Sequence, residues 1–230
     1  RGITSVGDYL YVADEVNNSI RSVDPTTRAV TTMAGSGGAS GSADGTASTA
    51  RFSFPFGMAL SGATLYVTDS TNHTVRSVDT ASWQVTTIAG RAETPGSTDG
   101  ARSAARFYGP RGIATDGLSL YVCDAQNHTV REIGLATGEV ATLAGSAGTA
   151  GYADGVGASA WFRSPQGIAW DGSRLYVADA GNHVVRGIDP ESGDVTTVVG
   201  QGGAPGIDDG VGQAARFYQP HGIAWDGDRK

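Results

Sequence analysis

Cysteine occurs once and lysine once in 230 residues, and each scarcity excludes something. The lone Cys123 forbids a disulfide within the chain, so packing must hold the fold, and the redox compartment stays open. It stands third in a Tyr-Val-x-Asp string where Ala13, Thr68 and Ala178 stand elsewhere, and so reads as a small core residue. With Lys230 the only lysine, arginine supplies the other fifteen cations, and twenty-three acidic residues bring the net charge to −7. An acidic chain repels nucleic-acid phosphates and anionic membranes. No nucleic-acid partner is expected, and RNA binding would need a basic face these residues do not build. An apolar run of roughly 18 residues, the minimum for a membrane span, is missing, as is a charged-then-apolar leader. Membrane insertion is not expected. No Ser-His-Asp, Cys-His, phosphate-loop or dinucleotide pattern stands out, so neither catalytic residues nor a cofactor is predicted.

What the chain does have is a repeat of 55 residues without insertion or deletion. Pro-x-Gly recurs at Pro55, Pro110, Pro165 and Pro220, and Tyr-Val-x-Asp at Tyr11, Tyr66, Tyr121 and Tyr176. The expected units are 2–56, 57–111, 112–166 and 167–221, with 222–230 as the start of a further one. Tandem units of this length mark a solenoid, propeller or array, in which no unit buries its apolar face alone. One continuous body is expected rather than separate small domains.

Within the unit 167–221 four short stretches read as strands: 167–171, 175–179, 184–189 and 195–199, separated by Asp171-Gly172-Ser173, Asn182-His183 and Pro190-Glu191-Ser192-Gly193 turns. Four strands with tight turns make an antiparallel meander, and helical periodicity is absent. The predicted fold is all-β, a β-propeller of four-stranded blades, each blade a self-contained sheet. Both faces of a blade pack on neighbours, which accounts for apolar residues at odd and even positions alike.

The string Tyr176-Val-Ala-Asp-x-x-Asn182-His183-x-Val-Arg186-x-Ile-Asp189 resembles the NHL repeat. It returns at 66–79 and 121–133, and in weaker form at 11–24 with Asn18 in place of histidine; Gly134 replaces the closing aspartate in the third unit. The long Asp-Gly…Ala-Arg-Phe linkers resemble those of bacterial and extracellular members. The resemblance implies a ring of six blades, an extracellular or cell-surface setting, and a protein, peptide or glycan partner. The surplus start at 222–230 argues for part of a six-bladed ring or larger array, with a closed four-bladed ring and a dimer completing the ring as the alternatives.

Alternating strand directions place the Asn-His turns and the linkers on one face. Each linker carries an aspartate (Asp44, Asp99, Asp154, Asp209) expected to cap a helical turn, and a phenylalanine (Phe52, Phe107, Phe162, Phe217) expected to pin it. One aspartate per linker is too few for calcium, and no metal is predicted. Asp14, Asp69, Asp124 and Asp179 are expected to pair with Arg21, Arg76, Arg131 and Arg186 as a buried scaffold. His73, His128 and His183 share one turn position in successive blades and read as structural. The sequons at Asn17, Asn72 and Asn127 read as turn chemistry. The candidate ligand patch is the x of Pro-x-Gly at the channel mouth: Phe56, Arg111, Gln166 and His221, with Arg1 equivalent in the first unit. This set suits a small anion or an acidic side chain and cannot by itself hold zinc. Two classes of function follow. The first is a non-catalytic binding or structural scaffold, with association through open end blades. The alternative is a metal-dependent hydrolase or lyase at the channel mouth.

Overall fold

The computed structural model describes residues 2–227; Arg1 and residues 228–230, with Lys230 and the end of the expected further unit, lie outside the described residues. Four antiparallel sheets follow one another along the chain. The first joins β1 (Ile3–Val6), β2 (Tyr9–Asp14), β3 (Ser19–Val23) and β4 (Val30–Gly35), and the second β5 (Pro55–Ser61), β6 (Thr64–Asp69), β7 (Thr74–Asp79) and β8 (Val85–Gly90). After the short β9 (Gly100–Ala101), the third holds β10 (Pro110–Thr115), β11 (Ser119–Asp124), β12 (Thr129–Gly134) and β13 (Glu139–Ala144). After the short β14 (Gly155–Val156), the fourth holds β15 (Pro165–Trp170), β16 (Leu175–Asp179), β17 (Val184–Ile188) and β18 (Asp194–Val199).

The core lies between sheets, as single sheets without cores of their own require. Ile20 and Ala34 of the first sheet meet Leu65, Val67 and Val78 of the second around Phe52. Val75 and Ala89 meet Leu120, Val122 and Ile133 around Phe107. Cys123 and Val130 meet Leu175, Val177 and Ile188 around Phe162. Cys123 is wholly buried, and burial pushes its thiol far above the usual range, which makes it inert packing.

The expectation that each sheet is self-contained is corrected at the outer edges. β9 pairs with β13, Val140 opposite Gly100, and β14 pairs with β18, Val195 opposite Gly155; Gly45 bridges Val85 in the same place. Each of these segments belongs to the linker before the sheet it joins, so the linker lends the next blade a fifth edge. An exposed outer edge is thereby partly covered.

At the inner edge the ladders break at Pro-x-Gly, between Pro55 and Met58 and between Pro110 and Ile113, which re-aims the x side chain toward the mouth. Successive inner strands touch there through glycine. A Cβ on Gly112 would stand 2.6 Å from the Gln166 carbonyl oxygen and 2.9 Å from the Gly167 Cα. Residues 222–227 form no strand ladder among the described residues, although an inner strand was expected from 222 onward. The ladder of an inner strand comes from the second strand of its own sheet, as β1 takes it from β2. Ile223 and Ala224 nonetheless line the channel beside Ile168.

Candidate functional site

One face gathers the linkers, the turns between second and third strands and the channel mouth. Its foundation is a buried cluster repeated in the second, third and fourth sheets. Arg131 is wholly buried and donates through Nη1 to the Asp124 carboxylate (3.0 Å) and the Arg106 carbonyl (2.9 Å), and through Nη2 to Asp99 (2.6 Å) and the Thr98 carbonyl (3.2 Å). Its guanidinium lies over the Phe107 ring, 5.1 Å from the centroid. Arg76 and Arg186 repeat the arrangement with Asp69, Asp44 and Phe52, and with Asp179, Asp154 and Phe162. The chain breaks register at these arginines, one residue of the fourth strand being skipped between Val75 and Arg76, so the side chain can reach the linker.

Asparagine completes the cluster. Asn127 Nδ2 donates to Asp124 (2.7 Å) and to the Gly96 carbonyl of the linker (2.6 Å), and Asn72 and Asn182 do the same. Both amide hydrogens are used and the side chains of Asn72 and Asn127 are buried, so the folded protein offers no glycan acceptor at these two sequons. Asn17 is exposed and donates only to Asp14 among these partners. In the first sheet Arg21 and Asp14 stand 3.4 Å apart, about 30% exposed on each side. Burial at the other positions comes from the preceding linker laid across the pair.

Burial pushes the carboxyls of Asp69, Asp124 and Asp179 up to about 6, against the guanidinium and N–H donors that pull them down. The linker aspartates, expected as helix caps, are corrected. The short 3₁₀ turns at Arg102–Ala104 and Gly157–Ser159 start after Ala101 and Val156 and have no side-chain cap. Asp44, Asp99 and Asp154 bind instead the arginine 32 residues on and a threonine of the neighbouring fourth strand, Thr87, Thr142 or Thr197. The phenylalanines sit beneath those arginines, wholly buried at 52, 107 and 162.

The histidines brace consecutive blades. His73 Nδ1 accepts the Gly109 N–H, His128 the Ser164 N–H and His183 the Gln219 N–H, each at 3.1 Å. Asn18, the departure from the repeat, does the same with its amide oxygen, accepting the Phe54 N–H at 3.0 Å. All four occupy left-handed backbone, φ 52–64°, which asparagine tolerates well and histidine adopts here. An acceptor Nδ1 must be unprotonated, and partial burial lowers the pKa of His73 and His128 from the ordinary 6.5. Because the unfolded chain then binds more protons, this contribution is complete above 6.5 and lost as pH falls below it. The buried carboxylates act oppositely, their raised values favouring the folded state as pH falls from about 6 toward 3.8. The histidine part is isolated as a difference: the double variant His73→Asn/His128→Asn, a copy of Asn18, is expected to gain in melting temperature on wild type between about pH 7 and pH 5.5. Parallel curves for the two proteins would contradict this account.

At the mouth, Phe56, Gln166 and His221 line a cavity of about 430 Å³ whose walls are Ile3, Met58, Ile113 and Ile168. Arg111 lies just outside it. Its guanidinium stands 5.2 Å from the Phe56 centroid and donates to the Gln166 amide oxygen, while Gln166 Nε2 reaches the Ser164 carbonyl at 3.4 Å. Phe56, Arg111 and Gln166 thus form one chain across three sheets, and Arg111 also borders a cleft of about 190 Å³ with Glu15, Ser70 and Gln126. His221 is exposed on the cavity rim. Among the described residues, no three of histidine, cysteine, aspartate and glutamate come together as a metal would require.

Sheets stacked through inter-sheet cores, with a shared face of turns and linkers, define a β-propeller-type repeat protein. No family model matches the chain. Human NHL repeat-containing protein 2 is 28% identical over 97% of the chain, and the repeats are of the NHL type. The chain spans about a third, 35%, of that relative's length. The structure is similar to an auxiliary nutrient binding protein from Bacteroides ovatus, with 20% identity, 95% of this chain and 61% of that one covered, and a TM-score of 0.63. It is similar also to virginiamycin B lyase from Staphylococcus aureus, with 16% identity, 99% and 60% covered, and a TM-score of 0.61. One fold serves both a binding protein and a lyase, so the fold alone selects neither. Among the described residues, no helix is long and apolar enough to cross a membrane.

Proposed function

We propose that the chain is a non-catalytic binding or scaffold module of a secreted or surface protein, part of a propeller of six blades or a larger array. It receives a protein, peptide or glycan on the linker face. The observation that carries this reading is the Phe56–Arg111–Gln166 chain beside the mouth cavity, a cation on an aromatic shelf at the rim of an apolar well. Such a rim suits an acidic side chain, whose carboxylate Arg111 can take in exchange for the neutral Gln166 amide. The alternative, a metal-dependent hydrolase or lyase, has a single mouth histidine, His221, to work with. The fold's likeness to a binding protein supports the first reading only by analogy.

The test is binding of Asp/Glu-rich peptides against their Asn/Gln counterparts, measured on wild type and on Arg111→Ala. Wild type is expected to prefer the acidic set, and Arg111→Ala to weaken it about tenfold or more, equivalent to about 1.4 kcal/mol, with unchanged melting. Equal binding of both peptide sets by wild type, or an acidic preference undiminished in Arg111→Ala, would reject the assignment.

A further inference from the structure

The face opposite the linkers carries a cleft of its own. It lies between the third and fourth sheets, about 670 Å³ in volume, and is lined by the turns after β10, β15 and β17 together with Ser119, Tyr121 and Glu132. One wall is aromatic, with the Tyr121 and Trp170 rings 6.3 Å apart between centroids and inclined by 23°. Around it stand four carboxylates, those of Asp116, Glu132, Asp189 and Glu191. Burial first, then the hydrogen bond to Asp116 and the charges of Asp116 and Glu132, push the pKa of the Tyr121 hydroxyl up, so both carboxylates bear on the same wall.

This chemistry belongs to one junction and not to the repeat. The corresponding cleft between the second and third sheets, about 200 Å³, has Tyr66, Ser77, Gly134 and Leu135 where the larger one has Tyr121, Glu132, Asp189 and Pro190. Ser61 and Ala136 stand one period before Asp116 and Glu191, so none of the four carboxylates has a counterpart there. The smaller cleft stays open although the fourth sheet packs on the far side of the third, so seating a further module beyond a sheet does not fill the cleft on its near side. Among the described residues none of the four carboxylates makes a salt bridge. The charge of Arg174 reaches Asp189, but Arg174 donates to Thr196 at 3.4 Å and does not line the cleft. Glu132 takes the Ser119 hydroxyl on Oε1 at 2.7 Å and keeps Oε2 as an acceptor, and the Glu191 carboxylate makes no hydrogen bond among the described residues.

We propose that this cleft binds an arginine-bearing segment of a partner protein. Four carboxylates in a concave site with no cation of their own focus a negative field there and concentrate positive groups. The aromatic wall selects among cations. A guanidinium is planar and weakly hydrated, so it can lie against Trp170 by its face and donate along its edge to Glu132 and Glu191. A lysine ammonium has no flat face to match. A divalent metal needs several converging oxygens, and among the described residues no three acidic, histidine or cysteine side chains come together to supply them. Arg111 and Asp116 stand at opposite ends of β10 and its following turn, so this site and the Arg111 rim occupy opposite faces and suit opposite charges.

Fluorescence anisotropy of the whole chain with a labelled peptide of alternating glycine and arginine, and with its lysine and citrulline counterparts, tests this. Wild type is expected to bind the arginine peptide about tenfold or more tighter than the citrulline peptide, and measurably tighter than the lysine one. Glu132→Gln/Glu191→Gln should weaken the arginine peptide about tenfold or more with unchanged melting. Asp208→Asn/Asp209→Asn changes net charge equally at exposed positions on the linker face and should not weaken it. Equal binding of the arginine and citrulline peptides, or of the arginine and lysine peptides, overturns the proposal. Affinity undiminished in Glu132→Gln/Glu191→Gln, or reduced as much in Asp208→Asn/Asp209→Asn, overturns it as well. Spermine or calcium that raises the melting temperature of wild type more than that of Glu132→Gln/Glu191→Gln, with the arginine peptide unbound, would assign the cleft to a free cation instead.

Discussion

Asp124→Ala is expected to destabilise the chain by about 3–5 kcal/mol. For a chain of this size that is a fall in melting temperature on the order of 10 °C. Asp124 is wholly buried and accepts from Arg131, from Asn127 and from the Tyr108 N–H at 2.7 Å. Alanine would strand a buried guanidinium, leave an amide short of one acceptor and free the linker backbone that the carboxylate holds. The raised pKa says that the carboxylate is costly to bury, and the deletion is nevertheless severe, because what remains is an uncompensated cation. Asp14→Ala is the internal comparison. Its partner Arg21 is about 30% exposed, so water takes over part of the lost interaction and a surface-like loss of about 0–1 kcal/mol is expected. Thermal melts of both variants decide it; equal losses would mean that the linker laid over Asp124 contributes nothing.

Gly112→Ala is expected to cost about 3 kcal/mol, the upper end of overpacking penalties. All three of the nearest atoms to the added Cβ, between 2.6 and 3.0 Å away, are backbone: the Gln166 oxygen, the Gly167 Cα and the Ile168 nitrogen. Backbone cannot rotate aside as a side chain does, so the third and fourth sheets must separate at the channel. The separation would also pull Arg111 from Gln166, coupling the loss of stability to the mouth. Gly37→Ala is the control, since nothing lies within 4 Å of its added Cβ. Denaturant unfolding of the two variants should show a large shift for the first and almost none for the second, and a neutral Gly112→Ala would deny the close approach of the inner strands.

The strand positions and their meander were legible because alternating short apolar runs and Asp-Gly or Asn-His turns are local signals. The Asp–Arg pairs were legible too, being locked together seven residues apart within one turn. The role of the linker aspartate was not. An Asp-Gly before an alanine-rich run reads locally as a cap or turn, whereas its partner lies in the next repeat, a connection no local rule describes. A signal did exist: Asp44, Asp99 and Asp154 each precede a buried arginine by 32 residues. The brace function of histidine was hidden for a similar reason, because the acceptor Nδ1 meets a backbone N–H 36 residues on. Asn18 is the readable clue, since asparagine and histidine share an acceptor and a tolerance for left-handed backbone. For the mouth, sequence placed Phe56, Arg111, Gln166 and His221 at one rim but could not say that Arg111 would lean outward on Phe56, which depends on the break in the inner ladders.

The fifth edge that each linker lends to the following sheet has a direction. The clasp always precedes in the chain the arginine and outer strand it holds, so a ribosome releases the receiving groove before the module that will fill it. Domains form from the N-terminal side during synthesis. During synthesis each module is therefore expected to seat against a predecessor that has already left the ribosome, which favours assembly from the N-terminal side.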